Sequence, residues 1–166
     1  MEFTKLTDIA NYIVSEGKGI LAADESNPTC KKRFDTISVE SSEENRRDYR
    51  ELLFTSNGMR DNIGGVILFD ETIRQKSASG ATLVELILAN GALPGIKVDK
   101  GLKPFRESEV ETLTQGLDDL DERCSEYANL GAKFTKWRAV INIGDGMPTQ
   151  ECIDANMDAL AQYAKI

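Results

Sequence analysis

The stretch Gly19-Ile20-Leu21-Ala22-Ala23 is short and apolar, and an acidic residue, Asp24, follows it directly. A continuous apolar run of this length is typical of a strand that is buried on both faces of a sheet. Three more strands are predicted further along the chain, at Gly64–Phe69, Gly95–Gly101 and Phe134–Ile141. These runs together predict a parallel sheet.

Helical patterns alternate with the predicted strands. Helices are predicted at Thr4–Glu16, from Glu43 to about Phe54, at Thr82–Ala89, at Leu117–Leu130 and from Thr149 onward. Loops are predicted where turn residues or charges cluster, at Ser26–Thr29 and Gly101–Glu111. The alternation predicts an α/β protein with right-handed crossovers. Two architectures fit it: a doubly wound open sheet, or part of a β/α barrel.

The first and last predicted helices each carry apolar residues at helical spacing, and we expect these stripes to face the core. The stripe of the first helix consists of Leu6, Ile9, Ala10, Ile13 and Val14. The stripe of the last helix consists of Ile153, Met157, Leu160 and Ala164.

Length and composition favour a single domain over residues 1–166, with 40% hydrophobic and 29% charged residues. The net charge of −8 argues against binding to nucleic acids and to acidic membranes. No signal peptide and no apolar run of transmembrane length are visible, so we expect a cytoplasmic protein.

The chain has no histidine, which removes the commonest general base and the commonest metal ligand. Cys30, Cys124 and Cys152 are widely spaced and form no CxxC pair. We therefore expect free thiols rather than zinc ligands, an iron–sulfur cluster or a disulfide framework. Neither dinucleotide-binding nor P-loop glycine patterns follow any predicted strand.

Charged residues occur within two neighbouring predicted strands, where burial is costly unless charges are paired or functional. Strand alternation predicts that Lys97 and Asp99 share a face of the third strand, and that Lys136 and Arg138 share a face of the fourth. One interpretation is a buried structural ion network. The other is an active site at the polar mouth of a barrel, where crowded cations would lower the pKa of a lysine and attract a phosphorylated ligand.

Three further charged residues have two interpretations each. Asp24, at the end of the first strand, either joins this site or caps the next turn. Asp70 is predicted to be a cap or a loop residue. Arg33 either clamps a phosphate or is a solvated helix residue.

Several segments, taken together, resemble class I fructose-bisphosphate aldolases. In chain order they are Gly17–Ser26, Glu43–Arg47, Gly64–Phe69, Gly95–Gly101, Thr114–Asp118 and Lys136–Arg138. The resemblance implies a parallel (β/α) barrel of TIM type, here about the first four βα units with an N-terminal helix. It also implies a lyase of glycolysis and gluconeogenesis. Such a lyase cleaves fructose 1,6-bisphosphate reversibly into dihydroxyacetone phosphate and glyceraldehyde 3-phosphate, through a lysine Schiff base and without a metal or cofactor.

The resemblance also implies catalytic roles for two residues. Asp24 matches the aspartate that assists proton transfer near the C3–C4 bond of the sugar. Lys136 matches the lysine that helps Schiff-base formation and carbinolamine dehydration. Lys97 matches a substrate-binding lysine, and Arg138 matches an arginine that contacts one phosphate end.

A second group of matches lies just after the first strand. Ser26, Thr29 and Arg33 match the family loop that contacts the other phosphate. Thr29 stands where the family often has serine, and it keeps the hydroxyl group. The resemblance thus assigns seven site residues in all.

The resemblance places the Schiff-base lysine on a later strand, outside this chain. We therefore expect residues 1–166 to be the N-terminal half of an aldolase barrel, truncated before the fifth strand and inactive alone. A sugar phosphate is the expected partner, and family analogy favours a homo-oligomer. Two alternatives stay open: a non-catalytic half-barrel fragment that binds sugar phosphate or a partner chain, and a different aldolase with Lys136 as its Schiff-base residue.

Overall fold

The computed structural model describes residues 3–166. Two compact units are present. The first comprises the chain up to Lys97 together with Tyr127–Thr135, and the second comprises Val98–Glu126 and Lys136–Ile166. No helix within residues 3–166 is long and apolar enough to cross a membrane.

The helices and strands of the described residues alternate along most of the chain. The helices are α1 (Leu6–Ile13), α2 (Asn27–Asp35), α3 (Glu43–Phe54), α4 (Met59–Asn62), α5 (Asp70–Arg74), α6 (Leu83–Ala89), α7 (Leu120–Asn129) and α8 (Gln150–Lys165). The strands are β1 (Gly19–Ala23), β2 (Ile63–Leu68), β3 (Leu93–Lys97), β4 (Leu102–Pro104), β5 (Thr112–Thr114) and β6 (Phe134–Lys136). β1, β2, β3 and β6 form one sheet in that order, and β4 pairs with β5 in a separate antiparallel hairpin.

The central strands of the first unit are parallel, as β1 pairs with β2 and β2 pairs with β3. The predicted α/β class with a parallel sheet is therefore confirmed. The core lies on the buried strands, where Val66, Leu68 and Ile96 are fully buried. Helices α3 and α6 pack together, and α6 also packs on β3.

One close contact explains a glycine of this core. The Phe134 ring lies directly over Gly95, so that a Cβ at this position would overlap the ring. A side chain of any size is therefore excluded from this part of β3 unless the ring moves.

Helix α2 replaces the loop predicted at Ser26–Thr29, and that prediction is wrong. Ser26 is the N-cap of α2, and a proline occupies the first turn of the helix. Proline is tolerated there because its missing N–H would have no intrahelical acceptor. The same helix shows that Asp24 is not the N-cap, and Asp70 is not a cap either, since it is the first residue of α5.

The third and fourth strands are placed differently from the prediction. β3 begins at Leu93 and ends at Lys97, which leaves Asp99 outside the strand. Pro94, which has no N–H to donate, lies inside β3, and its carbonyl accepts from the Lys133 N–H at 2.7 Å. The proposed shared face of Lys97 and Asp99 is therefore wrong.

β6 ends at Lys136, so Arg138 is not a strand residue and does not share a strand face with Lys136. The backbone of Arg138 has a different partner, since its carbonyl accepts from the Thr114 hydroxyl at 2.7 Å. The segment predicted as a charged loop also contains β4, which pairs with β5.

In the second unit, α8 packs on β5, and its buried face is rotated by one residue, about 100°, from the predicted stripe. Its buried residues are Cys152, Asn156 and Ala159. Asn156 is polar but lies in the buried face, where its Nδ2 donates to the Thr112 carbonyl at 3.1 Å. Met157, from the predicted stripe, is 50% exposed.

The predicted stripe of α1 is also largely wrong. Ile13 is buried, but Leu6 is 85% and Val14 59% exposed. By contrast, the predicted helices around α3 and α6 are confirmed. Ser42 caps α3, and Thr82 and Glu85 form a capping box at the start of α6.

Candidate active site

The register of the parallel strands places two of the predicted residues in one row across the sheet. Ala23 of β1 pairs with Leu68 of β2, and Leu68 pairs with Ile96 of β3. The residues that follow this row on the outer two strands are Asp24 and Lys97. Because adjacent strands lie about 4.8 Å apart, the backbones of Asp24 and Lys97 are separated by roughly 10 Å, with β2 between them.

Asp24 and Lys97 are both half-buried at the carboxyl ends of their strands. This edge is where α/β proteins place their ligand-binding groups. The register thus places an acid and an amine at the same edge of the sheet.

The start of α2 brings Ser26 and Thr29 together. The two hydroxyl groups lie 3.1 Å apart. Arg33 follows Thr29 by one helical turn, so Ser26, Thr29 and Arg33 lie along one side of α2. Ser26, the N-cap of this helix, follows Asp24 by two residues.

Arg33 is not an isolated cation in this structure. Its Nη1 forms an ion pair with the carboxylate of Glu25, and it lies 3.4 Å from the Tyr49 hydroxyl. The Glu25 charge raises the pKa of Arg33 above its ordinary value. Burial of the Tyr49 ring, with the nearby Glu25 charge, raises the pKa of the Tyr49 phenol.

Arg50 of α3 holds Glu25 in place. The Arg50 Nη2 lies 2.8 Å from Glu25 Oε2, and it also donates to the Glu25 carbonyl at 3.1 Å. The two side chains are only 2% and 8% exposed, respectively. The residue next to Asp24 is thus anchored to α3 by a buried ion pair.

A second ion pair joins α3 to the start of α5. Arg46 binds Glu71 through two hydrogen bonds of 2.7 and 2.6 Å. Asn27, the first residue of α2, donates to the same carboxylate at 3.2 Å. The hydrogen bonds from Arg46 lower the pKa of Glu71. The beginning of α2 is therefore fixed at Glu25 and again at Asn27.

The second unit contains Lys136 and Arg138. Lys136 is half-buried at the end of β6, and its carbonyl accepts from the Val98 N–H at 3.1 Å. Arg138 is exposed, and the bond from Thr114 fixes its backbone. These contacts hold both residues on backbone that is tied to Val98 and to β5.

A cluster of charges lies beside this segment in the second unit. Asp119 accepts from Lys100 at 2.6 Å and from Arg123 at 2.8 Å. These hydrogen bonds, led by that from Lys100, lower the pKa of Asp119 to about 2. Arg123 also donates to the carbonyl groups of Val98 and Gly116, so the cluster braces the chain that follows β3.

The sequence did not single out Glu25 or Arg50. Glu25 is adjacent to Asp24 and gave no separate signal, and arginine on a helix is normally exposed. The one available signal was spacing, because Arg46 and Arg50 are one turn apart on the same side of α3. No cluster of three or more side chains suited to a metal ion occurs within residues 3–166.

The comparisons with known proteins show the fold and the family. The solved structure of fructose-bisphosphate aldolase from Plasmodium falciparum, in complex with TRAP and a small-molecule inhibitor, superposes with a TM-score of 0.93. It is 49% identical, and the match covers 96% of this chain and 46% of that chain. The fold is thus the α/β fold of an aldolase.

The relatives in sequence point the same way. "Fructose-bisphosphate aldolase 5, cytosolic" of Arabidopsis thaliana is 52% identical over 162 residues, which is 98% of this chain and 45% of the relative. The fructose-bisphosphate aldolase of Drosophila melanogaster is 50% identical over 163 residues, again 98% and 45%. The family model for class I fructose-bisphosphate aldolase matches residues 5–166. The chain belongs to this family, and it spans about half the length of the curated relatives it matches.

Proposed function

We propose that this chain supplies the first half of a class I fructose-bisphosphate aldolase active site. The proposed reaction is reversible cleavage of fructose 1,6-bisphosphate through a Schiff base, on a lysine that is not among residues 1–166. The observation that carries the proposal is the placement of Asp24 and Lys97 one step beyond a shared row of β1, β2 and β3, in a chain of this family.

The proposed roles are those that the resemblance to the family implies for each residue. Asp24 moves a proton near the bond that breaks, as a carboxylate can. Lys97 binds an oxygen of the substrate. Lys136 transfers protons while the carbinolamine forms and loses water, and Arg138 binds a phosphate.

A second phosphate would bind at the start of α2. The hydroxyl groups of Ser26 and Thr29 can donate hydrogen bonds, and Arg33 supplies charge. The backbone N–H groups of the first helical turn point the same way, which favours an anion. These groups would bind one phosphate of the proposed bisphosphate substrate.

The overall architecture belongs to the same proposal. β1, β2, β3 and β6 are the first four strands of a TIM-type barrel, and residues 1–166 form one domain within it. The proposal also includes action in the cytoplasm, since the Arabidopsis relative is named as cytosolic, and a homo-oligomeric state by analogy with the family.

Complementation in trans tests the proposal. The 166-residue chain is mixed with the second half of the Arabidopsis relative, and cleavage of fructose 1,6-bisphosphate is followed. We expect negligible turnover from the chain alone and turnover from the mixture. Lys136→Met should abolish the activity of the mixture, whereas Asp35→Asn, on the exposed end of α2, should retain it.

The alternatives give different results in a trapping experiment. The chain is incubated with dihydroxyacetone phosphate and borohydride, and the peptides are mapped. An adduct on Lys136, or turnover by the chain alone, would overturn the proposal in favour of a different lysine-dependent aldolase. Because the chain spans half of its relatives, a non-catalytic half barrel that binds sugar phosphate is the second candidate. Phosphate binding without recovery of activity in the mixture would support it.

A further inference from the structure

The ion pair between Arg33 and Glu25 joins two very different side chains. Arg33 is 58% exposed, whereas Glu25 is 8% exposed. A long, exposed arginine can swing away from its partner at little cost, because the surrounding water replaces the interaction. A buried carboxylate cannot follow it without losing its own contacts.

Glu25 keeps other partners when Arg33 leaves. Its Oε2 lies 2.8 Å from the Arg50 guanidinium, and its Oε1 accepts from the Tyr49 hydroxyl at 3.2 Å. Each carboxylate oxygen thus retains one contact. The pair can therefore open at the Arg33 side without leaving an unpaired buried charge.

Arg33 also lies on the side of α2 that carries Ser26 and Thr29, whose hydroxyl groups are 3.1 Å apart. A phosphoryl group bound at these hydroxyls would compete with Glu25 for the Arg33 guanidinium. A phosphoryl dianion has more charge than a carboxylate, and it accepts two parallel hydrogen bonds from arginine.

We propose that Glu25 is an internal competitor for the phosphate-binding Arg33, which it holds until a phosphoryl group takes its place. This inference rests on the proposed function, because it assumes that the start of α2 binds a phosphate. Glu25 lowers the affinity of the site for any anion, and only a ligand with enough charge on its phosphoryl group displaces it. Glu25 is thus a specificity-determining residue of the site.

A titration of the 166-residue chain with inorganic phosphate at constant ionic strength tests this inference. The backbone N–H signals of residues 26–33 and the Nε–H signal of Arg33 are followed by NMR. We expect Glu25→Gln to bind phosphate about two- to fivefold more tightly than the unmodified chain, as for the loss of an exposed ion pair. Arg33→Gln should abolish the gain.

The chain offers a matched control on the same helix. Asp35 pairs with Lys31 at 2.8 Å, and both side chains are exposed. Like Glu25→Gln, Asp35→Asn removes one negative charge, but the cation that it releases is Lys31 and not Arg33. We expect its phosphate affinity to stay within error of the unmodified chain, and a gain equal to that of Glu25→Gln would overturn the inference in favour of a net-charge effect.

The substitution at Glu25 leaves Arg50 buried without a carboxylate, so a second variant keeps the test decisive. Glu25→Gln combined with Arg50→Met removes both buried charges and should show the same gain. If either folded variant binds phosphate no better than the unmodified chain, the inference is wrong while the phosphate site stands. If no form binds phosphate, including the unmodified chain, the phosphate site at α2 is wrong and the inference with it.

Discussion

The guanidinium of Arg50 lies 2.8 Å from the carboxylate of Glu25, and neither side chain is more than 8% exposed. This pair ties the end of β1 to α3 at the residue that follows Asp24. Nε and Nη1 of Arg50 are also buried, and neither has a hydrogen-bond partner within residues 3–166. Hydrogen bonds therefore compensate the burial of these charges only in part. The pair fixes the position of Glu25 at a cost in stability.

Removing only one partner of this ion pair should destabilise the protein strongly. We expect Arg50→Ala to lower the free energy of unfolding by roughly 3–5 kcal/mol, because it leaves the Glu25 charge buried and creates a cavity. Urea unfolding monitored by circular dichroism measures the change. Arg47→Ala, on an exposed ion pair of the same helix, should cost less than about 1 kcal/mol. Glu25→Gln with Arg50→Met should recover most of the lost stability. Equal losses for Arg47→Ala and Arg50→Ala would contradict the buried pair.

The contact between Gly95 and Phe134 gives a second prediction. Gly95→Ala should lower the free energy of unfolding by roughly 1–3 kcal/mol, because the new methyl group must displace the ring. Gly19→Ala is the control, since a Cβ at this exposed strand position meets nothing within 4 Å. The two variants are compared by thermal and urea unfolding. Similar values for both would show that the ring does not lie against Gly95.

The buried amide of Asn156 gives a third prediction. Asn156→Ala removes the donor to the carbonyl groups of Thr112 and Cys152. We expect a loss of roughly 1–3 kcal/mol in the free energy of unfolding, because these acceptors stay buried. Met157→Ala, at the next position and half exposed, should change stability far less. A larger loss for Met157→Ala would mean that the originally predicted face of α8 is the buried one.

The Asp119 carboxylate gives a prediction for pH. Its pKa is lowered from an ordinary value of 3.8 to about 2, led by the Lys100 hydrogen bond. A lowered pKa means that the contribution to stability is present above about pH 4 and is lost as the pH falls through about 2. The carboxyl carbon of Asp119, followed by NMR, should therefore titrate with a midpoint near 2. Lys100→Met should move this midpoint upward. A midpoint that Lys100→Met leaves in place would show that Lys100 is not the cause.

The strands were predictable from sequence because short apolar runs signal them. The predicted burial of the first strand on both faces is wrong, since Gly19, Ile20 and Ala22 of β1 are exposed and only Ala23 is buried. The ends of the strands were less predictable: β6 ends at Lys136, and two residues later the Arg138 carbonyl accepts from the Thr114 side chain instead of from a strand. That contact joins residues far apart in the chain. Helix α2 was missed because proline signals a turn and the first turn of a helix equally well.

The candidate site was predictable in part for the same reason. The position of Asp24 at a strand end was predicted from local sequence, whereas Lys97 was predicted inside the third strand and lies at the end of β3. The common row of the two residues follows from the pairing of β1 with β2 and of β2 with β3. The partners of Arg33 and the burial of Arg50 depend on α3, which approaches only in the folded chain. Periodicity within one segment contains no information about such contacts.

The backbone hydrogen bonds that pair β1, β2 and β3 fix the spacing of Asp24 and Lys97. The spacing of the acid and the amine is set by β2, to which neither residue belongs. A slip of one residue between strands would move a group by about 3.3 Å and turn its side chain to the other face. The residues that connect β1 to β2 take no part in this strand pairing. Insertions and deletions there can accumulate during evolution while the spacing of Asp24 and Lys97 is inherited unchanged.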